Sequence, residues 1–134
     1  KGADVVRDMA ALIESERLPA RIVVVGTLDD PPVSPVLRIT GPYRAGELPA
    51  LLRRERVGVC LLPSIWHETF SYVTSELMAH GLPLAVFDLG APAERVRGYA
   101  RGAIIPAIDA RAALDALFAL RARLAAAAPR LESR

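Results

Sequence analysis

VGVCLLPSIWHETFSYVTSELMAHG, residues 57–81, carries the clearest indication of how this chain folds. Residues 57–62 are an apolar run without a polar interruption, which is the pattern of a parallel strand buried on both faces. Pro63 ends the run, and residues 64–67 form a loop at the carboxyl end of the predicted strand.

A helix is predicted after this loop. Phe70, Val73 and Leu77 recur at helical spacing. Gly81 suits the left-handed stop of a helix, and Pro83 prevents the helix from restarting. Ligands in an open α/β sheet lie outside the carboxyl ends of the strands, so the loop before this helix is the first candidate for chemistry.

Strand and helix patterns alternate along the rest of the chain. The predicted helices cover residues 3–16 and 47–56, a short segment that begins in the turn at 90–94, and a last segment from a cap at Asp109 to about residue 127. The other predicted strands cover residues 21–26, 36–40, 84–87 and 103–105. This alternation predicts one Rossmann-like α/β domain over residues 1–134, with a parallel sheet and helices on both faces.

The composition suits one globular domain and excludes several classes of protein. The chain has 134 residues, of which 52% are hydrophobic. Its 17 basic residues are scattered among 15 acidic ones, for a net charge of +2, which argues against a dedicated nucleic-acid binder. No apolar run approaches the roughly 20 residues of a membrane span and no signal peptide is visible, so a cytoplasmic location is expected. Cys60 has no partner for an internal disulfide and suits a buried position.

The first residues suggest a piece of a longer protein. Lys1 and Gly2 run straight into a helix pattern, without a leading strand. We therefore expect the first strand of the sheet to belong to a preceding segment.

Two glutamates flank the start of the predicted central helix. From Glu68 to Glu76 a helix rises about 12 Å and turns about 800°, which leaves the side chains about 80° apart. A close acid–base pair needs about 5–10 Å between carboxyl groups, so this pair suits two separated parts of one extended ligand. Free backbone N–H groups near Phe70, Ser71 and Tyr72 would offer an anion site between them. Together these groups suit a nucleotide-diphosphate sugar.

Spacing alone does not assign this function. Glu47 and Glu55 have the same spacing on a helix that we expect to be exposed, and they receive no function. The context distinguishes Glu68 and Glu76, because that pair follows a strand end and an aromatic loop.

The segment PSIWHETFSYVTSELMAHGLPLAVFDLGAPAE, residues 63–94, resembles the carboxyl-terminal half of GT-B-fold retaining glycosyltransferases of family 4, the glycosyl transferases group 1. That family carries Pro-Ser after a strand, then E-x-F-x with seven residues between two glutamates, then E-A-x-A-x-G-x-P-V and G-G-x-x-E. The matching positions, in order, are Pro63, Ser64, Glu68, Phe70, Glu76, Ala79, Gly81, Pro83, Gly90 and Glu94. Upstream, KGADVVRDMAALIE, RIVVVG and LRITGPY are similar to the preceding family elements, so the resemblance covers nearly the whole chain.

The resemblance implies the donor-binding domain of an enzyme that moves a sugar from a nucleotide-diphosphate sugar, UDP- or GDP-linked, to a hydroxyl acceptor. It implies no metal and no further cofactor. The partners would be a glycan or lipid-linked acceptor and an amino-terminal GT-B domain. The version E-T-F-S-Y is similar to bacterial enzymes of surface-polysaccharide or O-antigen assembly, which would place the full-length protein in the cytoplasm or at the periphery of the inner membrane.

Individual roles follow from the resemblance. Glu68 would be the catalytic-site residue that contacts the donor sugar near the reacting centre. Phe70 and Ser71 would offer backbone N–H groups to the pyrophosphate, and Glu76 would bind the ribose hydroxyls.

Further donor-binding positions are also implied. Lys1 would neutralise the leaving phosphates, and Tyr43 lies where the family backbone meets the base. Ser64, Thr69 and Tyr72 complete the expected donor site around the loop.

Two positions depart from the family pattern. The glycines of its E-G-F-G sequence are Thr69 and Ser71 here. Glycine lets the backbone approach a ligand closely, so Thr69 either narrows the sugar site or adds a hydroxyl contact. These departures keep one alternative open, a non-catalytic GT-B-like binding or scaffold module. Another GT-B enzyme, a sugar-nucleotide epimerase, is a further alternative. We expect the fragment to fold but not to transfer sugar alone.

Each of three further residues allows two interpretations of its role. Trp66 either stacks on the ligand or anchors its loop, and His67 is either a proton carrier or a polar loop residue. Asp88 either caps a helix or faces the cleft. Neither His67 nor His80 has a second ligand at metal spacing, so no zinc site is predicted.

Overall fold

A computed structural model describes residues 2–44, 46–63 and 72–127. The elements, in chain order, are α1 (Ala3–Glu16), β1 (Ile22–Val24), β2 (Leu37–Ile39), α2 (Leu48–Arg54), β3 (Cys60–Leu62), α3 (Tyr72–Ala79), β4 (Leu84–Phe87), α4 (Gly90–Arg97), β5 (Gly102–Ile105) and α5 (Ala110–Ala127). Strands and helices alternate as predicted, with one helix-free connection between β1 and β2.

All strand pairings described are parallel, which confirms the predicted α/β class. They form two sheets: β1 pairs with β2, and β3, β4 and β5 pair in that order. Ile22 is in register with Leu37 in the first sheet. β4 lies in the middle of the second, where Leu84 is in register with both Cys60 and Gly102.

Helices cover both faces of the three-stranded sheet. Ala85 and Phe87 of β4 belong to one apolar cluster with residues of α1 and α5. Leu84 and Val86 belong to a second cluster with residues of α2, α3 and α4. Successive side chains of a strand point to opposite faces, so β4 contributes to both clusters.

Two helix ends lie where local sequence features predicted them. Gly81 has φ +70° at the end of α3, as expected for a left-handed stop. The Asp109 carboxylate accepts a hydrogen bond from the Ala112 N–H at 2.9 Å, which is the predicted cap of α5.

The strand β3 is shorter than predicted at its amino end. β3 begins at Cys60 and not at residue 57. The chain first closes α2, because Val57 N–H donates to the Leu52 carbonyl at 3.0 Å and Arg56 adopts a left-handed φ of +57°. Residues 57–59 therefore form the turn into the strand.

Candidate functional site

The candidate site lies at the carboxyl edge of the strands, where the sheet is divided. β1 and β3 form two walls of one cavity of about 730 Å³. β2 lies beyond β1 on one side, whereas β4 and β5 lie beyond β3 on the other. The chain therefore reverses the direction of strand addition between β1 and β3, and a reversal of this kind marks the ligand-binding crevice of open α/β sheets.

The carboxyl ends of β1 and β2 are tied together at this edge. Gly41 N–H donates to the Gly26 carbonyl at 2.8 Å, and Gly26 N–H donates to the Thr40 hydroxyl at 3.0 Å. Tyr43 follows this bridge, lines the cavity and has 37% of its surface exposed. A ring at this position can contact a planar group bound at the mouth of the cavity.

The helix α3 begins on the opposite side of the mouth. Val73 and Leu77 line the cavity, and Thr74 is fully buried. Glu76 is half-buried one turn beyond Val73 on the same helix. Glu76, the residue predicted to bind the ribose, therefore lies on the helix expected for it. A contact with a ribose stays a prediction.

Most of the predicted donor site falls outside the described residues. These positions are Lys1, Ser64, Glu68, Thr69, Phe70 and Ser71, together with Trp66 and His67. The described chain reaches Pro63 at the end of β3 and resumes at Tyr72, the first residue of α3. The two ends frame the predicted loop, and the roles assigned within it stay predictions.

Glu55 corrects one expectation from the sequence. It was expected on an exposed helix, yet its side chain is only 6% exposed. The Arg38 guanidinium donates to both Glu55 carboxylate oxygens, at 2.8 and 3.2 Å, and Arg21 donates to the Glu55 carbonyl oxygen at 2.8 Å. The hydrogen bond from Arg38 holds the pKa of the Glu55 carboxyl below its ordinary value.

The sequence did contain a signal for this burial. Glu55 follows Leu52 by three positions and therefore shares the inward side of the helix. Glu47, by contrast, is exposed and accepts a hydrogen bond from the Arg44 N–H at 2.6 Å. The two glutamates thus have structural roles at the two ends of α2.

Asp88 is half-exposed at the carboxyl end of β4 and forms an ion pair with Arg97. It does not cap α4, because the residue at the cap position is Leu89. On the neighbouring helix face, Arg95 donates to the Ser75 hydroxyl at 2.7 Å and links α4 to α3. These contacts connect α4 to the end of β4 and to α3.

Cys60 is buried, as predicted, and lines the same cavity. Burial raises the pKa of its thiol to about 11, so the group is protonated at neutral pH. A protonated thiol is a poor nucleophile, which leaves Cys60 a packing role.

The described parts of the chain lack the features of two other classes of site. Among those residues, no three His, Cys, Asp or Glu side chains are grouped in a way that would hold a metal ion. Within the same ranges, no helix has the length and apolar character needed to cross a membrane.

Comparison with known proteins gives one match. A family model described as "Glycosyl transferases group 1" matches residues 1–122. No curated protein and no solved structure matches the chain significantly.

Proposed function

Because this chain belongs to the glycosyl transferases group 1 family, we propose that it is the donor-binding, carboxyl-terminal half of a retaining glycosyltransferase with a GT-B fold, of family 4. The family implies a sugar donor and an acceptor in general. In our proposal the donor is a nucleotide-diphosphate sugar, linked to UDP or GDP, and the acceptor is a hydroxyl group of a glycan or lipid-linked glycan. The anomeric configuration is retained.

One observation carries this proposal. β3 ends at Leu62 and α3 starts at Tyr72, beside the place where the direction of strand addition reverses. That position is the ligand-binding crevice of doubly wound sheets, and the amino end of a helix favours negatively charged groups such as a diphosphate. The sequence with the strongest family resemblance, including Glu68 and Glu76, surrounds the same junction.

The proposed ligand would extend across the mouth of the cavity. Its sugar lies at Glu68, its pyrophosphate at the N–H groups of Phe70 and Ser71, and its ribose at Glu76. Tyr43, exposed on the opposite side of the mouth, contacts the base. Charge develops on the departing diphosphate in the transition state, and pre-oriented N–H groups at a helix terminus stabilise such charge without a metal.

The setting of the reaction is part of the proposal. The E-T-F-S-Y and D-L-G-A sequences support a place in bacterial surface-polysaccharide assembly, on the cytoplasmic side of the inner membrane. Sugar transfer itself then needs the amino-terminal domain that supplies the acceptor site.

Titration calorimetry with UDP, GDP, ADP and dTDP tests the donor site. We expect one nucleotide to bind preferentially and Glu76→Gln to weaken its binding by at least about tenfold, since a carboxylate that accepts hydrogen bonds from ribose hydroxyls is replaced by a neutral amide. Asp115→Asn is the matched control, because it removes one exposed carboxylate from α5. It should leave the affinity unchanged.

A second assay separates the alternatives. A transferase binds the nucleotide sugar and needs an acceptor for turnover, whereas an epimerase converts its nucleotide sugar without one. If no nucleotide binds to this chain or to a protein that also carries the amino-terminal domain, the transferase proposal is wrong. The altered glycines at Thr69 and Ser71 would then favour a scaffold module.

A further inference from the structure

We propose that a cluster of arginines near the amino ends of β1 and β3 is a docking surface for a membrane that contains anionic phospholipids. This arginine patch consists of Arg21, Arg38, Arg53, Arg54 and Arg56, and all five residues are exposed. The inference depends on the charges and contacts of these residues, and it holds whether or not the chain transfers sugar.

One buried glutamate holds three of the arginines together. The Arg38 guanidinium donates to both carboxylate oxygens of Glu55, and Arg54 Nε lies 3.7 Å from one of them. Arg21 donates to the Glu55 carbonyl oxygen at 2.8 Å. These arginines come from the start of β1, from β2 and from the end of α2, so the fold brings the patch together.

The patch has a large excess of positive charge at its surface. Within the described ranges, Glu55 is the one carboxylate that forms an ion pair with any of the five arginines. Glu55 is only 6% exposed, whereas the Arg38 and Arg54 side chains are 59% and 64% exposed. The single negative charge is therefore buried, and the surface that meets the solvent is positive.

The guanidinium group suits the phosphate of a lipid headgroup. It is planar and permanently charged, and its N–H donors can bind two phosphate oxygens at once. Arg38 uses Nε and Nη2 for Glu55, which leaves Nη1 available at the surface. Arg53 and Arg56 are exposed on either side of the Glu55–Arg54 pair and extend the same surface.

The patch is an open surface. The cavity of about 730 Å³ reaches Arg21 and Arg56, but Arg38, Arg53 and Arg54 do not line it. A site for a small ligand is normally a concave pocket that encloses most of the ligand. Exposed arginines on a strand and on the end of a helix instead fit an extended anionic surface.

The surroundings of the patch favour a membrane over a protein or a nucleic acid. Protein interfaces are centred on aromatic or apolar anchors, and single-stranded nucleic acids are bound by aromatic side chains that stack on the bases. The large hydrophobic residues exposed in the described ranges are Val33, Tyr43, Val73 and Ile108, and none adjoins a patch arginine in the sequence. A membrane needs no such anchor, because each arginine near an anionic surface adds to binding through its charge.

The patch and the candidate donor site lie at opposite ends of the strands. Arg21 directly precedes β1, and Arg56 precedes the turn into β3. The candidate site lies beyond the carboxyl ends of the same strands. Contact between the patch and a membrane would therefore leave the mouth of the cavity open.

Co-sedimentation with vesicles tests the proposal. Vesicles with about 30% phosphatidylglycerol in phosphatidylcholine are compared with vesicles of phosphatidylcholine alone. We expect the chain to bind the anionic vesicles only and to be released when the salt concentration is raised from about 0.05 M to about 0.5 M, because salt screens exposed charges. Combining Arg53→Gln with Arg54→Gln should weaken vesicle binding by at least about tenfold.

The matched control combines Arg95→Gln with Arg97→Gln. Each pair of arginines lies in the last turn of its helix, α2 or α4, so both variants lose the same charge from equivalent positions. The control should bind the vesicles as tightly as the unchanged chain. No nucleotide is present, so a failure of the proposed donor site would not alter the result.

A second variant keeps the test valid if the first one does not fold. It combines Arg53→Gln with Arg56→Gln and leaves both ion pairs of Glu55, with Arg38 and Arg54, in place. The same loss of vesicle binding is expected, since two charges are again removed from the patch.

Several results would overturn the proposal. They are absence of binding to the anionic vesicles, binding that does not depend on phosphatidylglycerol or salt, or equal losses in the patch and control variants. Displacement by inorganic phosphate at the phosphate concentration of the vesicles would show a site for a small anion and reject a membrane surface. Binding of double-stranded DNA through the patch, without binding to vesicles, would assign the patch to nucleic acid.

Discussion

The strands β4 and β1 have similar apolar sequences, yet they are buried to different degrees. Leu84, Ala85, Val86 and Phe87 of β4 are each 0–1% exposed. All three residues of β1, in the sequence Ile-Val-Val, are only half-buried. β4 has a strand on each side and helices on both faces, whereas β1, within the described parts of the chain, pairs with β2 alone and borders the cavity on its other side. Burial is therefore set by the neighbours that the topology supplies.

The two sheets are also held in different ways. The three-stranded sheet is fixed by apolar side chains that interlock with five helices. The two-stranded sheet is tied to α2 by polar contacts, since Arg38 and Arg21 both donate to Glu55. Polar contacts are directional and sensitive to pH, so the two sheets should respond differently to mutation and to acid.

The largest effect is expected for Phe87→Ala. Phe87 is 1% exposed in the cluster formed with α1 and α5, so truncation leaves a cavity that the close-packed surroundings fill only partly. The free energy of unfolding should fall by about 3–5 kcal/mol, measured by urea denaturation. Val24→Ala in β1 is the matched change, and it should cost about 1 kcal/mol because the side chain is only half-buried. Equal losses would mean that side chains in the two sheets are buried to the same degree.

A smaller effect is expected for Gly102→Ala in β5. An added methyl group would lie 2.6 Å from Val96 Cγ1 and 3.1 Å from the Val96 carbonyl oxygen, so α4 must shift away from the sheet. Over-packing of this kind costs about 1–3 kcal/mol in thermal or urea unfolding. At Gly58, which lines the cavity, nothing lies within 4 Å of the added methyl group, so Gly58→Ala is the control and should leave stability nearly unchanged. A loss at Gly58 as large as that at Gly102 would contradict the open space around Gly58.

Sequence patterns predicted the elements well, because periodicity and caps are local. The bounds of α1 and β4 agree with the predicted ranges, and Gly81 and Asp109 act at the helix ends as expected. The separation of β1 and β3 into two sheets was not predicted. It depends on which strand edges meet in space, and local sequence patterns do not show this. Arg38 lies 17 positions from Glu55, so their contact also needed the fold. Of the candidate site, the structure positions Tyr43 and Glu76, while Glu68 lies outside the described residues.

The smallest effect is expected for Glu55→Gln, which removes the carboxylate that ties β2 to α2. At pH 7 the thermal midpoint should fall by a few degrees, less than for Phe87→Ala, because the variant amide still accepts one hydrogen bond from Arg38. Glu94→Gln is the matched control, since Glu94 is exposed on α4. It should leave the midpoint unchanged.

The pH dependence distinguishes the ion pair from a purely steric effect of the substitution. The Arg38 hydrogen bond lowers the pKa of Glu55 in the folded state from an ordinary value of 4.5. The native carboxylate therefore contributes stability that is fully present above this ordinary value and is lost as the pH falls through the lowered, folded-state pKa. The difference in unfolding midpoint between wild type and Glu55→Gln should thus be constant near neutral pH and shrink as the pH falls below 4.5. A difference that persists undiminished in acid would show that Arg38 does not stabilise the charged form of Glu55, and the two-stranded sheet would then be held by packing, like its neighbour.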